Sequence, residues 1–142
     1  MLDVIDIKIK DNGYAPIKAH VNDAGIDLRT PEEVCVPKGG SVVIDTKVCV
    51  EIPRHYYGQL ASKSGLHIKH GVVCLDGVID AGFVGTIVVK LFNFGDEDYT
   101  FNAGDKIVQL LILPCETPMI QLVAEINTDT ERGTNGFGSS GK

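Results

Sequence analysis

Ser41-Val42-Val43-Ile44-Asp45-Thr46-Lys47-Val48-Cys49-Val50-Glu51-Ile52 sets the rhythm of this chain. On an extended backbone Val42, Ile44, Thr46, Val48, Val50 and Ile52 share one face, and Val43, Asp45, Lys47, Cys49 and Glu51 the other. Period two with β-branched residues on one face predicts a strand. A turn rich in Pro37, Gly39 and Gly40 precedes it, and Pro53 stops it. Downstream, Ile87, Val89 and Leu91 alternate with Val88, Lys90 and Phe92 ahead of a Gly95-Asp96 turn, which predicts a second strand. Tyr99-Thr100-Phe101, the turn Asn102-Ala103-Gly104-Asp105 and the apolar run over 107–113 predict a hairpin whose second strand is buried on both sides. Residues 55–70 have room for a short helix, but Gly58, Gly65 and the β-branched and aromatic clusters count against one. Short strands punctuated by Gly and Pro predict an all-β domain, a sandwich or jelly roll.

At 142 residues the chain has length for one core and no second module. A formal charge of −6 excludes a broad duplex-binding surface, which needs clustered Lys and Arg, yet leaves room for a small anionic ligand. No run of 18 apolar residues exists, and Met1-Leu2-Asp3-Val4-Ile5-Asp6 lacks the pattern of a signal peptide, so a soluble, intracellular protein with no membrane partner is expected. Cys35, Cys49, Cys74 and Cys115 stand far apart in apolar surroundings and read as buried free thiols. His67 and His70 form an H-x-x-H pair without an acidic third ligand, and read as solvent-facing loop histidines rather than a metal site.

Polar clusters interrupt the strands where strand meets turn, the usual place for function. Asp23-Ala24-Gly25-Ile26-Asp27-Leu28 sets a carboxylate between apolar neighbours, as a turn cap or as a ligand for metal-bound water. Ala61-Ser62-Lys63-Ser64-Gly65-Leu66 brackets a lysine with hydroxyls, a phosphate contact or a generic polar turn. It lacks the order of a Walker A loop. Gly77-Val78-Ile79-Asp80-Ala81-Gly82-Phe83-Val84-Gly85 places Asp80 after an apolar pair, as a candidate general base or a turn residue. Gln109 sits in the otherwise apolar Gly104-Asp105-Lys106-Ile107-Val108-Gln109-Leu110, where a buried amide is either satisfied locally or faces a ligand. The fifth cluster, Glu131-Arg132-Gly133-Thr134-Asn135-Gly136-Phe137-Gly138-Ser139-Ser140-Gly141, has no hydrophobic period. Its glycines, paired hydroxyls, guanidinium and aromatic face describe a flexible arm fit to close over a nucleotide, the other reading being a disordered Gly/Ser end.

In this order and spacing the clusters resemble the five motifs of the trimeric dUTPase family. Ala24-Gly25-Ile26-Asp27-Leu28 is similar to its A-G-x-D-L, Lys63-Ser64-Gly65 to its R-S-G, and residues 77–85 to its G-x-I-D-x-x-Y-x-G. Residues 104–110 resemble its G-(E/D)-(R/K)-I-A-Q-L, and residues 132–141 its R-G-x-x-G-F-G-S-(S/T)-G. The resemblance implies a distorted jelly-roll subunit (1–126) with a glycine-rich arm (127–142), assembled as a homotrimer with three shared active sites. It implies hydrolysis of dUTP to dUMP and pyrophosphate with Mg²⁺, Asp80 activating the water that attacks the α-phosphorus. Asp27 and Gln109 would meet magnesium through water, and Lys63, Ser64, Gly65, Arg132, Gly138, Ser139 and Ser140 would cradle the phosphates. Gly77 and the turn before Asp80 would receive uracil beneath Phe137, and Phe83 would pack on the sugar.

The chain departs from that pattern at three positions. Phe83 replaces a Tyr, Lys63 replaces an Arg, and Asp76 stands where many members carry a small residue. Ile79-Asp80-Ala81-Gly82-Phe83 also resembles the I-D-P-G-(W/F) segment of dCTP deaminases, but Lys90 occupies the position of that enzyme's catalytic glutamate. A nucleotide-binding regulatory domain without turnover is a third reading.

Overall fold

The computed structural model describes residues 1–75 and 77–141. It is nearly all-β. In chain order the strands are β1 (Asp6–Ile9), β2 (Ile26–Arg29), β3 (Val34–Val36), β4 (Ser41–Asp45), β5 (Val48–Glu51) and β6 (Tyr56–Ala61). One helix, α1 (Ser64–His70), follows, and then β7 (Val72–Val73), β8 (Val78–Ile79), β9 (Val88–Asn93), β10 (Tyr99–Phe101) and β11 (Lys106–Pro114). They form sheets ordered β2-β11-β6-β8, β4-β9-β7, β1-β5 and β3-β10, every pair antiparallel. Leu28, Val36, Val89, Leu91, Phe101, Ile107 and Leu110 are enclosed in the core these sheets share.

The opening stretch is two strands instead of one. Ile44, Thr46, Val48, Val50 and Ile52 are buried and Val42 is half-buried, so the predicted face holds, although Cys49 from the other face is buried too. The backbone nonetheless breaks at Lys47, whose φ is 61°. Thr46 Oγ1 donates to the Ile87 carbonyl at 2.8 Å, and Ile87 N–H donates to the Val48 carbonyl at 2.8 Å. This kink sends β4 to pair with β9 and β5 to pair with β1.

The predicted hairpin is also corrected. β10 pairs with β3, while β11 lies between β2 and β6 in another sheet. The turn between them is tight, with Gly104 at φ 87°, but it is tied to the end of β2: Thr30 N–H donates to the Asp105 carbonyl and Gly104 N–H to that of Thr30. Apolar residues on both faces of β11 suit a strand hydrogen-bonded along both edges. In the same sheet Gly58 lets three side chains close over the backbone, since a Cβ there would stand 2.9–3.1 Å from Ile52, Leu110 and Ile79 and force them to shift.

A helix does form within 55–70, over its second half only. It buries no side chain, and Gly71 closes it in the left-handed conformation (φ 69°), donating to the His67 carbonyl. His67 and His70 therefore sit on a helix, exposed, with the His70 ring 4.7 Å from that of Tyr99. Cys49 and Cys74 are buried as expected, but Cys35 is exposed and Cys115 half-buried; all four are free thiols. Among the described residues no strand follows β11, and residues 116–141 are exposed.

Asp45 braces the kink. Burial by itself raises its carboxyl, but the Lys47 backbone N–H, the Lys47 side chain and the Thr86 hydroxyl together outweigh that and hold it below its ordinary 3.8. A carboxyl depressed on folding adds stability above its unfolded pKa and loses it as pH falls through the folded value. Asp45→Asn should therefore lower the urea midpoint at pH 7, and the gap to wild type should close as pH drops below 3.8. Urea melts at several pH values check this, and a gap independent of pH would contradict it.

Candidate active site

Clusters one, two and four meet around one carboxylate. Asp27 on β2 pairs across the sheet with Gln109 on β11, and its backbone also exchanges hydrogen bonds with Ile17. Its side chain is buried, with Lys63 Nζ on Oδ1 and Lys106 Nζ 3.3 Å from Oδ2. Two cations on one carboxylate leave a net positive charge at this corner. Gln109 Nε2 donates to the Ser62 carbonyl at 3.0 Å, so its amide is satisfied locally on that side. Gly25 is needed here, because a Cβ would stand 2.1 Å from Gln109 Oε1. Ser62 Oγ donates to the Cys74 carbonyl and accepts from the Cys74 N–H, pinning the segment that carries Lys63. Ser64 and Gly65 follow, exposed, at the start of α1.

Cluster three lies beside the far edge of β6. β8 pairs Val78 with Gln59 and Ile79 with Gly58. A cleft of about 280 Å³ opens there, lined by Leu60, Gly77, Asp80, Phe83, Thr86 and Val88 among others. Gly77 lets the backbone approach Leu60, whose side chain a Cβ would meet at 2.8 Å. Asp80 is exposed at the end of β8, and its carbonyl accepts from Phe83 N–H in the turn that follows. The Phe83 ring rests on Gly85, where a Cβ would come within 2.7 Å of Cζ. That contact explains the glycine framing of the aromatic. No hydrogen bond or ion pair among the described residues links the Asp80 side chain to the Asp27 cluster. Asp76 lies outside the described residues. A larger groove of about 690 Å³, lined by Leu2, Ile5, Ile52, Arg54 and Phe83 among others, does not include Asp80.

The arm packs on neither cluster. Arg132 Nε donates to the Asn135 carbonyl at 2.9 Å, and Ser139 and Gly141 N–H groups close turns onto Gly136 and Gly138. Gly133, Gly138 and Gly141 have positive φ. Phe137 is fully exposed, as are Ser139 and Ser140.

Lys106 was not singled out by sequence, for a physical reason. It stands an odd number of residues from Gln109, so strict alternation puts the two on opposite faces. A register shift between Lys106 and Val108 re-aims it toward Asp27. The only signal was its membership in the Gly104–Leu110 cluster.

The dUTPase family model matches residues 11–141. The chain is 40% identical over 134 residues to a probable deoxyuridine 5'-triphosphate nucleotidohydrolase of Schizosaccharomyces pombe, covering 94% of this chain and 95% of that one. It is 39% identical over 136 residues to the deoxyuridine 5'-triphosphate nucleotidohydrolase of Clostridioides difficile, covering 94% of each. Among solved structures, the dUTPase of Staphylococcus bacteriophage 80alpha with dUpNHpp superposes with a TM-score of 0.90 at 31% identity, over 99% of this chain and 100% of that one. A variant dUTPase of phage phi11 of S. aureus, which coordinates a structural Mg(II) ion, gives 0.78 at 30% identity over 87% of this chain and 98% of that one. With the family model matching over nine-tenths of its length and relatives near 40% identity, this chain belongs to the dUTPase family.

Proposed function

We propose that this chain hydrolyses dUTP to dUMP and pyrophosphate inside the cell, as a homotrimer using Mg²⁺. The observation that carries the reading is the convergence of Asp27, Lys63 and Gln109 at one end of β6, a corner separate from the Asp80 cleft of the same chain. Relatives named for dUTP hydrolysis, and a phage dUTPase bound to a dUTP analogue, support the same substrate.

Uracil enters the cleft over Gly77, where strand-end backbone groups read its edge. Phe83, seated on Gly85, gives the sugar a flat apolar wall that disfavours a 2′-hydroxyl. Asp80, exposed at the cleft, orients a water toward the α-phosphorus and accepts its proton. Lys63, Ser64 and the Gly65 backbone meet the phosphates, and the arm adds Arg132, Gly138, Ser139 and Ser140, with Phe137 over the base. Positioning and charge complementarity suffice, since no covalent intermediate is needed.

Asp27 is engaged by two ammonium groups, and among the described residues no three His, Cys, Asp or Glu side chains form a metal cage. This donor set fits a magnesium that arrives on the triphosphate and keeps its waters, met by Asp27 and Gln109 through water. When bound, the ion offsets the charge of the triphosphate.

Met119, Ile120, Leu122, Val123 and Ile126 are exposed just before an arm that reaches neither cluster of its own chain. Apolar side chains in such a row call for cover by another copy. In the trimer, clusters one, two and four come from one subunit, cluster three from a second and the arm (127–142) from a third. Lys90, exposed on β9 with its ammonium over the Phe92 ring, offers no carboxylate for deamination.

With dUTP and Mg²⁺, the protein should release pyrophosphate. Asp80→Asn should slow this by about 100- to 10,000-fold, the range for loss of a general base, and truncation before Arg132 should reduce it strongly. Product analysis on dUTP, dCTP, dTTP and UTP in parallel checks the assignment. Intact dUTP despite tight binding would leave a binding module, and ammonia from dCTP would mark a deaminase. Phe83→Ala should narrow the preference for dUTP over UTP, whereas Phe83→Tyr should retain it; an unchanged kcat/KM ratio in Phe83→Ala would remove Phe83 from sugar selection.

A further inference from the structure

Lys63 has two demands on it. It is the cation of the R-S-G-like segment and the ion-pair partner of Asp27 Oδ1. One ammonium moving onto a triphosphate loosens its hold on the carboxylate. The Asp27 side chain is only 9% exposed, and a buried carboxylate left without a cation is costly. A magnesium met only through water would leave that carboxylate no direct cation, so Lys63 alone would be restrained by the cost.

We infer that Lys106 is the standing counter-ion of Asp27, and that by holding Oδ2 it releases Lys63 to the phosphates of the nucleotide. Lys106 Nζ lies 3.3 Å from Oδ2, on the oxygen that Lys63 does not use. The β-bulge after Lys106 aims it there, and the turn behind it is anchored: Arg29 Nε donates to the Gly104 carbonyl at 2.7 Å while its guanidinium lies over the Tyr14 ring. With Lys106 in place, departure of Lys63 leaves a neutral pair instead of a lone buried anion. Lys106 is thus a positioning residue acting through Lys63, and this role rests on the nucleotide-phosphate reading of the site.

The test is a double-mutant cycle read by calorimetric binding of dUpNHpp and of dUMP, each with Mg²⁺. Lys106→Met should weaken dUpNHpp by about tenfold or more, within the range of coupling between groups in contact, and dUMP far less. Lys106→Arg should restore binding. In a Lys63→Met background, Lys106→Met should cost about twofold or less, because the cation it serves is gone. Equal weakening of both ligands, full loss in the Lys63→Met background, or no loss at all would overturn the inference. Thermal melts identify any variant that fails to fold, and Lys106→Arg with the two-ligand comparison still decides if the double variant does. Wild-type protein that binds dUpNHpp but leaves dUTP intact defeats the hydrolase reading while the cycle still judges Lys106; protein that binds neither ligand defeats both.

Discussion

The hydrogen-bond ladders along both edges of β11 support the rest of the molecule. β11 pairs with β2 over residues 106–110 and with β6 over residues 109–114. The ladders overlap at Gln109 and Leu110, where the strand is paired on both edges, while residues 111–113 are half-buried. Ile107, Val108 and Leu110 accordingly lie in the core. The same ladders fix the site: pairing with β2 sets Asp27 opposite Gln109, and pairing with β6 brings the chain to Ser62 and Lys63 at the level of Gln109. Fold and binding corner are one set of backbone contacts.

Much of the fold was legible because burial follows period two. Ile44, Val48, Val50, Val89 and Leu91 are buried where alternation placed them. Partner choice was not legible. The break at Lys47 depends on a non-glycine residue in a positive-φ conformation and on a hydroxyl reaching Ile87, neither of which leaves a mark on hydrophobic period. The 102–105 turn likewise looked like a hairpin turn, and only its bonds to Thr30 carry the chain across to another sheet. Helix α1 was weighed and counted against on Gly58, Gly65 and the β-branched and aromatic clusters, and the helix, which fully buries no side chain, offered no apolar period to outweigh them.

At the site, spacing picked out residues that meet around Asp27 and concealed how they are held. Asp27 was expected to face magnesium-bound water; in this structure its oxygens rest on two lysines. One of the two was invisible to alternation because a bulge inverts its side. The Asp80 cleft followed more directly, since Gly77 and Gly85 each mark a side chain, Leu60 and Phe83, pressed against bare backbone. The arm's composition announced a clasp, and its internal turns keep Phe137 in solvent.

Gly25 and Gln109 are distant in sequence, yet the amide oxygen of one occupies the volume a methyl on the other would need. Neither position can drift independently. An alanine at 25 expels the glutamine from its bond to Ser62, whereas a shorter residue at 109 opens space that would tolerate the alanine but forfeits the amide. A substitution at either position therefore has to be read together with the residue at the other, because their volumes are shared.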